Sequence, residues 1–159
     1  MPIETHETGV AFSLLDRLMD SEPEMHASSW EEMRAFKASV CRDLTALLNT
    51  RRAEEDFDPI YTEAANSLLS FGITDFTSYN LKSGLEQEQV RRSMERAIRQ
   101  FEPRLTQVEV SVAEPDPLRP VLQFQIAALL RIELAAEPVV FDATLQRESR
   151  RIAVSGGGA

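Results

Sequence analysis

Between Ser29 and Arg52 the apolar residues Trp30, Met33, Phe36, Val40, Leu44, Leu47 and Leu48 recur at spacings of three and four. Such a stripe occupies one face of an α-helix. Ser29 with Glu32 offers a capping box at its start. Arg51 and Arg52 follow its end, where positive charge complements the exposed carbonyls. A second stripe, Val90, Met94, Ala97, Ile98 and Phe101, predicts another helix, opened by Ser83 and Glu86. It ends near Glu102, because Pro103 disfavours helical backbone in the residue before it. The period then drops to two. "RLTQVEVSV" alternates through Val108, Val110 and Val112, "VLQFQIAALLRI" through Leu122, Phe124, Ile126 and Ala128, and "VVFDATLQ" carries Phe141, Ala143 and Leu145. Three strands are predicted. The turn-like stretches "EPDPLRP" and "AAEP" join them, and short connections favour antiparallel neighbours.

The expected fold is therefore α+β: two main helices packed on a small antiparallel sheet of about three strands, with a partly flexible N-terminal arm. Residues 1–28 form the arm, 29–148 a single domain, and 149–159, ending in "SGGGA", a flexible tail. Residues 53–81 read mostly as loop, with one short ordered segment at "SLLSFG". The arm carries one apolar island in which Phe12, Leu15, Leu18 and Met19 fall at helical spacing. It is too short to hold a helix alone. It packs on its own domain or docks into another protein, which makes Leu14, Leu15 and Leu18 candidate docking residues. An open sheet leaves edges that are either protected or used, and a used edge takes a strand from a partner.

Charge and composition narrow the chemistry. The 159-residue chain has a formal net charge of -9, which makes it a poor nucleic-acid binder, since such binding rests on basic neutralisation of phosphates. No apolar run approaches the roughly 18 residues of a membrane span. The start lacks the basic stretch of a secretory signal, so the cytoplasm is expected. Cys41 is the single cysteine and sits in a helical stripe, and His6 and His26 are the only histidines. Nothing has metal-ligand spacing, and no cofactor is expected. Glycoside hydrolysis needs two carboxylates about 5 to 9.5 Å apart. Glu54, Glu55, Asp56, Asp58 and Glu102 are candidates, but in so acidic a chain a pair carries little information. The run from Glu54 to Asp58 reads more simply as a solvated loop.

Glu102 stands out for another reason. A glutamate at the carboxyl end of a helix opposes the helix dipole. Here Pro103 fixes the stop and Arg104 supplies an opposite charge. One reading is an internal ion pair of Glu102 with Arg104 or Arg99. The other is a surface that meets a partner, since breaches of local rules gather at functional sites.

Four stretches in order resemble one family. "SLLDRL" (13–18), "SVCRDLTALLNTRR" (39–52), "SLLSFGITDF" (67–76) and "AIRQFEPRL" (97–105) are similar to segments of the TssE baseplate subunits of type VI secretion systems, the last through its Glu-Pro-Arg motif. The resemblance covers about residues 13–147. It departs at Ser70-Phe71, where asparagine and tyrosine are frequent, and at Cys41, where arginine is frequent. It implies a structural component and not an enzyme, in a wedge with TssF, TssG and TssK, joining the wedge to the contractile sheath in a baseplate assembled at the inner membrane. It also implies a fold similar to the part of the sheath subunit that interlocks by shared strands. Under it, Glu102, Pro103 and Arg104 become partner-binding candidates, with Arg51 and Arg52 weaker ones. The family has also carried a lysozyme-like description, so a peptidoglycan-cleaving hydrolase is the alternative.

Overall fold

The structure, a computed structural model, describes residues 29–52, 60–80, 82–113, 121–132, 135–146 and 149–156, together with Leu18. Leu14, Leu15 and the carboxylates of residues 54–58 lie outside the described residues.

The first stripe forms helix α1, Ser29–Asn49. Phe36, Val40, Leu44, Leu47 and Leu48 are buried along one face. Trp30, expected in the stripe, is 62% exposed, because burial along this face is complete only from Phe36 onward. The second stripe forms helix α3, Gly84–Phe101, burying Val90, Met94, Ala97 and Ile98. It stops where Pro103 requires, with Glu102 as its last capping residue. Ser83 is its N-cap, but its side chain makes no capping bond; its carbonyl accepts from Gln87 N–H at 3.0 Å instead. Between the two helices, the expected single ordered segment is two: a four-residue helix α2, Thr62–Ala65, and a 3-10 turn, Leu68–Ser70.

The strands are β1 (Leu105–Val112), β2 (Leu122–Ile132), β3 (Ala135–Leu145) and β4 (Ile152–Gly156). They form one antiparallel sheet in chain order. The expectation of about three strands is thus corrected to four. The fourth lies in the segment read as a tail, where the alternation Ile152, Val154 is real but only five residues long. The turn expected at "AAEP" is also displaced, since Ala135–Pro138 already pair with β2. Pro138 is tolerated for a geometric reason. Arg131 N–H donates to Arg104 O in the β1 direction, so Leu129, two residues earlier, also faces β1. Pro138 lies opposite Leu129, so its nitrogen faces the open side of β3 and costs no ladder bond.

Helix α3 packs over β1 and helix α1 over β4, on one face of the sheet. Phe124, Ile126, Leu130, Phe141 and Leu145 meet them from the strands. Burial of each such side chain contributes roughly 1.5–3 kcal/mol. The opposite face carries exposed Glu109, Gln125, Arg131 and Asp142, as expected for an antiparallel sheet covered on one side.

Candidate functional site

The Glu102-Pro103-Arg104 corner connects α3 to β1. Arg104 Nε donates to Glu102 Oε1 at 2.7 Å, and Arg104 Nη2 to Glu102 Oε2 at 2.5 Å. The same guanidinium reaches α1: Nη2 donates to Asp43 Oδ2 at 2.6 Å and Nη1 to Ser39 Oγ at 3.3 Å. It also lies 5.9 Å from the Phe36 ring centre. Its backbone carbonyl accepts from Arg131 N–H at 2.8 Å. One residue therefore ties together α1, the end of α3 and the start of the β1–β2 pair. The Glu102 and Arg104 side chains are only 5% and 12% exposed. Burial works against the Arg104 cation, but the hydrogen bonds and charge of Glu102, then of Asp43, outweigh it and hold its pKa above the ordinary value.

The expectation that this corner presents both charges to a neighbour is corrected in geometry: the pair turns inward, and only Pro103 is exposed. The helix-dipole conflict is resolved locally by Arg104. Arg99, the other partner considered, bonds Glu95 at 2.8 Å instead. Both oxygens of Glu102 are held by Arg104 in a buried pair, so neither is open to a substrate. Burial pushes the Cys41 thiol pKa up, away from nucleophilic chemistry. Among the described residues no group of three or more His, Cys, Asp or Glu is placed to hold a metal ion, and no helix is long and apolar enough to cross a membrane.

Arg51 lies outward and pairs with Asp75 at 3.5 Å. Arg52 N–H donates to Ile73 O, and Ile73 N–H to Thr50 O, each at 2.9 Å, so the chain after α1 is bridged to the later segment at Ile73. Leu18 is exposed. Among the described residues no hydrogen bond or ion pair joins Arg51 to the corner.

What the sheet does with its edges is more telling. Two outward carbonyls of β1 are covered by α3: Arg99 Nη2 donates to Val108 O at 2.7 Å and Arg91 Nη1 to Val110 O at 3.0 Å. A register shift between Thr106 and Glu109, with Gln107 at φ 51°, twists the same edge. Pro138 takes one outward N–H away from the open half of β3. On β4, Asn49 imitates a neighbouring strand: its Nδ2 donates to Ile152 O at 2.7 Å, and its Oδ1 accepts from Ile152 N–H at 3.0 Å. Beyond Ile152 the protection ends. Arg151 O faces Gln146 N–H, so Ile152, Val154 and Gly156 face outward by alternation. Among the described residues the outward N–H and C=O groups of Val154 and Gly156 have no partner.

Sequence reasoning missed Asn49, Arg91 and Arg99, because their role depends on how far a side chain reaches across to another element. Arg91 is anchored by its own helix, with Nε 2.7 Å from Glu88 Oε2 and Nη1 2.5 Å from Glu95 Oε2. Bonds from Arg91, then Arg92, bring the Glu88 carboxyl from 4.5 down to about 2. A depressed pKa means the contribution to stability is complete above pH 4.5 and fades as pH falls toward 2. Titration followed by the Glu88 carboxyl NMR signal should give a midpoint near 2, returning toward 4.5 in an Arg91→Ala, Arg92→Ala protein. A midpoint near 4.5 in the unsubstituted protein would contradict the anchoring of Arg91.

A family model described as baseplate wedge protein gp25 matches residues 34–134. Comparison with curated proteins finds no match.

Proposed function

The chain belongs to the baseplate wedge protein gp25 family, a family of phage-like structural baseplate components, and from that premise we propose that it joins the wedge of a type VI secretion baseplate to the contractile sheath. It does so by lending a sheet edge to a strand of a sheath subunit. The observation that carries this reading is the contrast between guarded and open edges. Arginines and a bulge guard part of β1, a proline part of β3 and an asparagine the start of β4, while among the described residues the outward groups of Val154 and Gly156 are unpaired at the end of the sheet's last strand. Unpaired edges invite further strands, and proteins generally blunt the ones they do not use. Main-chain pairing supplies affinity in such additions, and alternate side chains supply selectivity.

On the wedge side the proposed partners are TssF, TssG and TssK, in the cytoplasm at the inner membrane. The buried Glu102–Arg104 pair contributes by holding α1, α3 and the sheet in one arrangement, so that Pro103 and its surroundings meet a partner as a rigid corner. Arg51, Arg52 and the arm residues Leu14, Leu15 and Leu18 are further proposed contacts. No catalytic residue enters this account.

Val154→Pro tests it. Proline removes the outward N–H while leaving the bonds to β3 in place, and edge strands tolerate it. The variant should melt within a few degrees of wild type and keep co-purifying with TssF and TssG, while recovery of the sheath subunit falls at least about tenfold. Undiminished sheath recovery would refute strand addition at this edge.

A further inference from the structure

Helix α3 and the segment from Ser70 to Tyr79 enclose a cleft of about 250 Å³, with no strand residue in its lining. Arg52, Arg92 and Arg96 line it together with Ser93, Gln89 and Gln100, and no aspartate or glutamate is among its lining residues. In a chain of net charge -9 that is a local inversion of sign. Arg92 is paired with Glu88 at 2.6 Å. Arg96 is exposed and bonds no acid among the described residues.

The wall opposite α3 is built to stay in place. Gly72 adopts φ +107° and Thr74 N–H donates to Ser93 Oγ at 3.0 Å. Gln100 Nε2 donates to Ala65 O at 2.7 Å, which ties α2 to the same helix. Phe71 packs edge-on against Phe101 with ring centres 5.2 Å apart. Between these anchors, Leu68 and Leu69 are 83% and 65% exposed, directly ahead of cleft residue Ser70. Ile60 and Tyr61, at the start of α2, are exposed as well. A free loop could turn such side chains inward, but this segment is pinned from beneath with its leucines left in water. Tyrosine beside arginine is a composition that partner-binding surfaces favour, and adjacent exposed leucines add an apolar patch to it.

We propose that this cleft and its leucine rim dock a segment of a partner protein that carries a carboxylate side chain next to an apolar one, the carboxylate entering toward Arg96 and the apolar group covering Leu68 and Leu69. Charge complementarity selects this occupant. A nucleic acid would face the field of the whole acidic chain with three arginines at most, and a cavity of this size accepts one or two side chains, not a base stack. The proposal stands apart from strand addition at β4 and does not need it.

The probe is a fluorescein-labelled peptide of alternating leucine and glutamate pairs, followed by anisotropy against the full chain. Its charge-swapped lysine version and a version with serine replacing leucine are the controls. The overall charge repels an acidic peptide, so binding has to come from a local site. The acidic leucine peptide should bind, weaken at least about tenfold in Arg96→Glu and separately in Leu68→Ser, Leu69→Ser, and weaken with added salt. Both variants change exposed positions, and an unchanged thermal melt confirms that they fold. Absence of binding at millimolar peptide overturns the proposal. So does binding that Arg96→Glu leaves unchanged, equal binding of the lysine peptide, or equal binding of the serine version, which would mark a site for small anions alone.

Discussion

Glu102→Ala is expected to destabilise the protein by roughly 3–5 kcal/mol, the usual cost of removing one partner of a buried ion pair. In a chain of this length that lowers the melting temperature by on the order of 10 °C. The loss does not come from Glu102 alone. Arg104 is left 12% exposed with its Nε and one Nη2 bond unmet, and only Asp43 and Ser39 remain to hold it. Replacing both members with apolar residues, Glu102→Leu with Arg104→Met, should cost less than Glu102→Ala, since no buried charge is then stranded. Thermal melts of the two proteins decide it. If Glu102→Ala melts within 2 °C or so of wild type, the pair is not an important fastener. Loss of baseplate assembly in Glu102 variants therefore has to be read beside their stability, because a missing partner contact and a loosened corner give the same phenotype.

Gly72→Ala is the second large effect. A Cβ built there lies 2.3 Å from Thr50 O and 2.8 Å from Thr50 C, both backbone atoms, and φ of +107° is strained for any side chain. The clash cannot be relieved by turning a side chain. It falls on the bridge at which Ile73 N–H donates to Thr50 O. Strain of this kind costs about 1–3 kcal/mol, and a broken bridge adds about 1 kcal/mol more. Denaturant unfolding should show a loss of roughly 2–4 kcal/mol on that basis, together with weaker binding of the acidic leucine peptide, since Gly72 shapes the cleft wall. Wild-type stability would mean that the segment from Ser70 to Tyr79 is not held against α1 as described.

Periodicity made much of this fold legible. The stripes from Phe36 to Leu48 and from Val90 to Ile98 are long enough for a period near 3.6 to be unmistakable, and Pro103 marks the stop of α3 for a local steric reason. The strands β1, β2 and most of β3 alternate as their sequences do. What was hidden depends on distant partners. Five residues of β4 carry too short an alternation beside a glycine run. Pro138 looks like a turn residue until the direction of its nitrogen is known. The register shift in β1 places Leu105 and Val108 both inward at a spacing of three, which alternation alone would not allow. The candidate site follows the same division. The oddity of Glu102 was visible as a breach of the dipole rule, but whether it faced a neighbour or Arg104 was settled by Asp43, Ser39 and Phe36 on a helix some sixty residues earlier. The edge-covering roles of Asn49, Arg91 and Arg99 are a matter of reach between elements, and no local pattern announces them.

Val154–Gly156 is, in the proposed role, the edge this protein gives to another chain. Residue-resolved hydrogen exchange, with and without the sheath subunit, reads that edge directly, because the amide N–H groups of Val154 and Gly156 are the ones a new strand would engage. On binding, those two amides should become strongly protected while the outward amide of Val110 on β1 changes little. Unchanged exchange at Val154 and Gly156 in a complex that has formed, or protection confined to β1, would contradict the account.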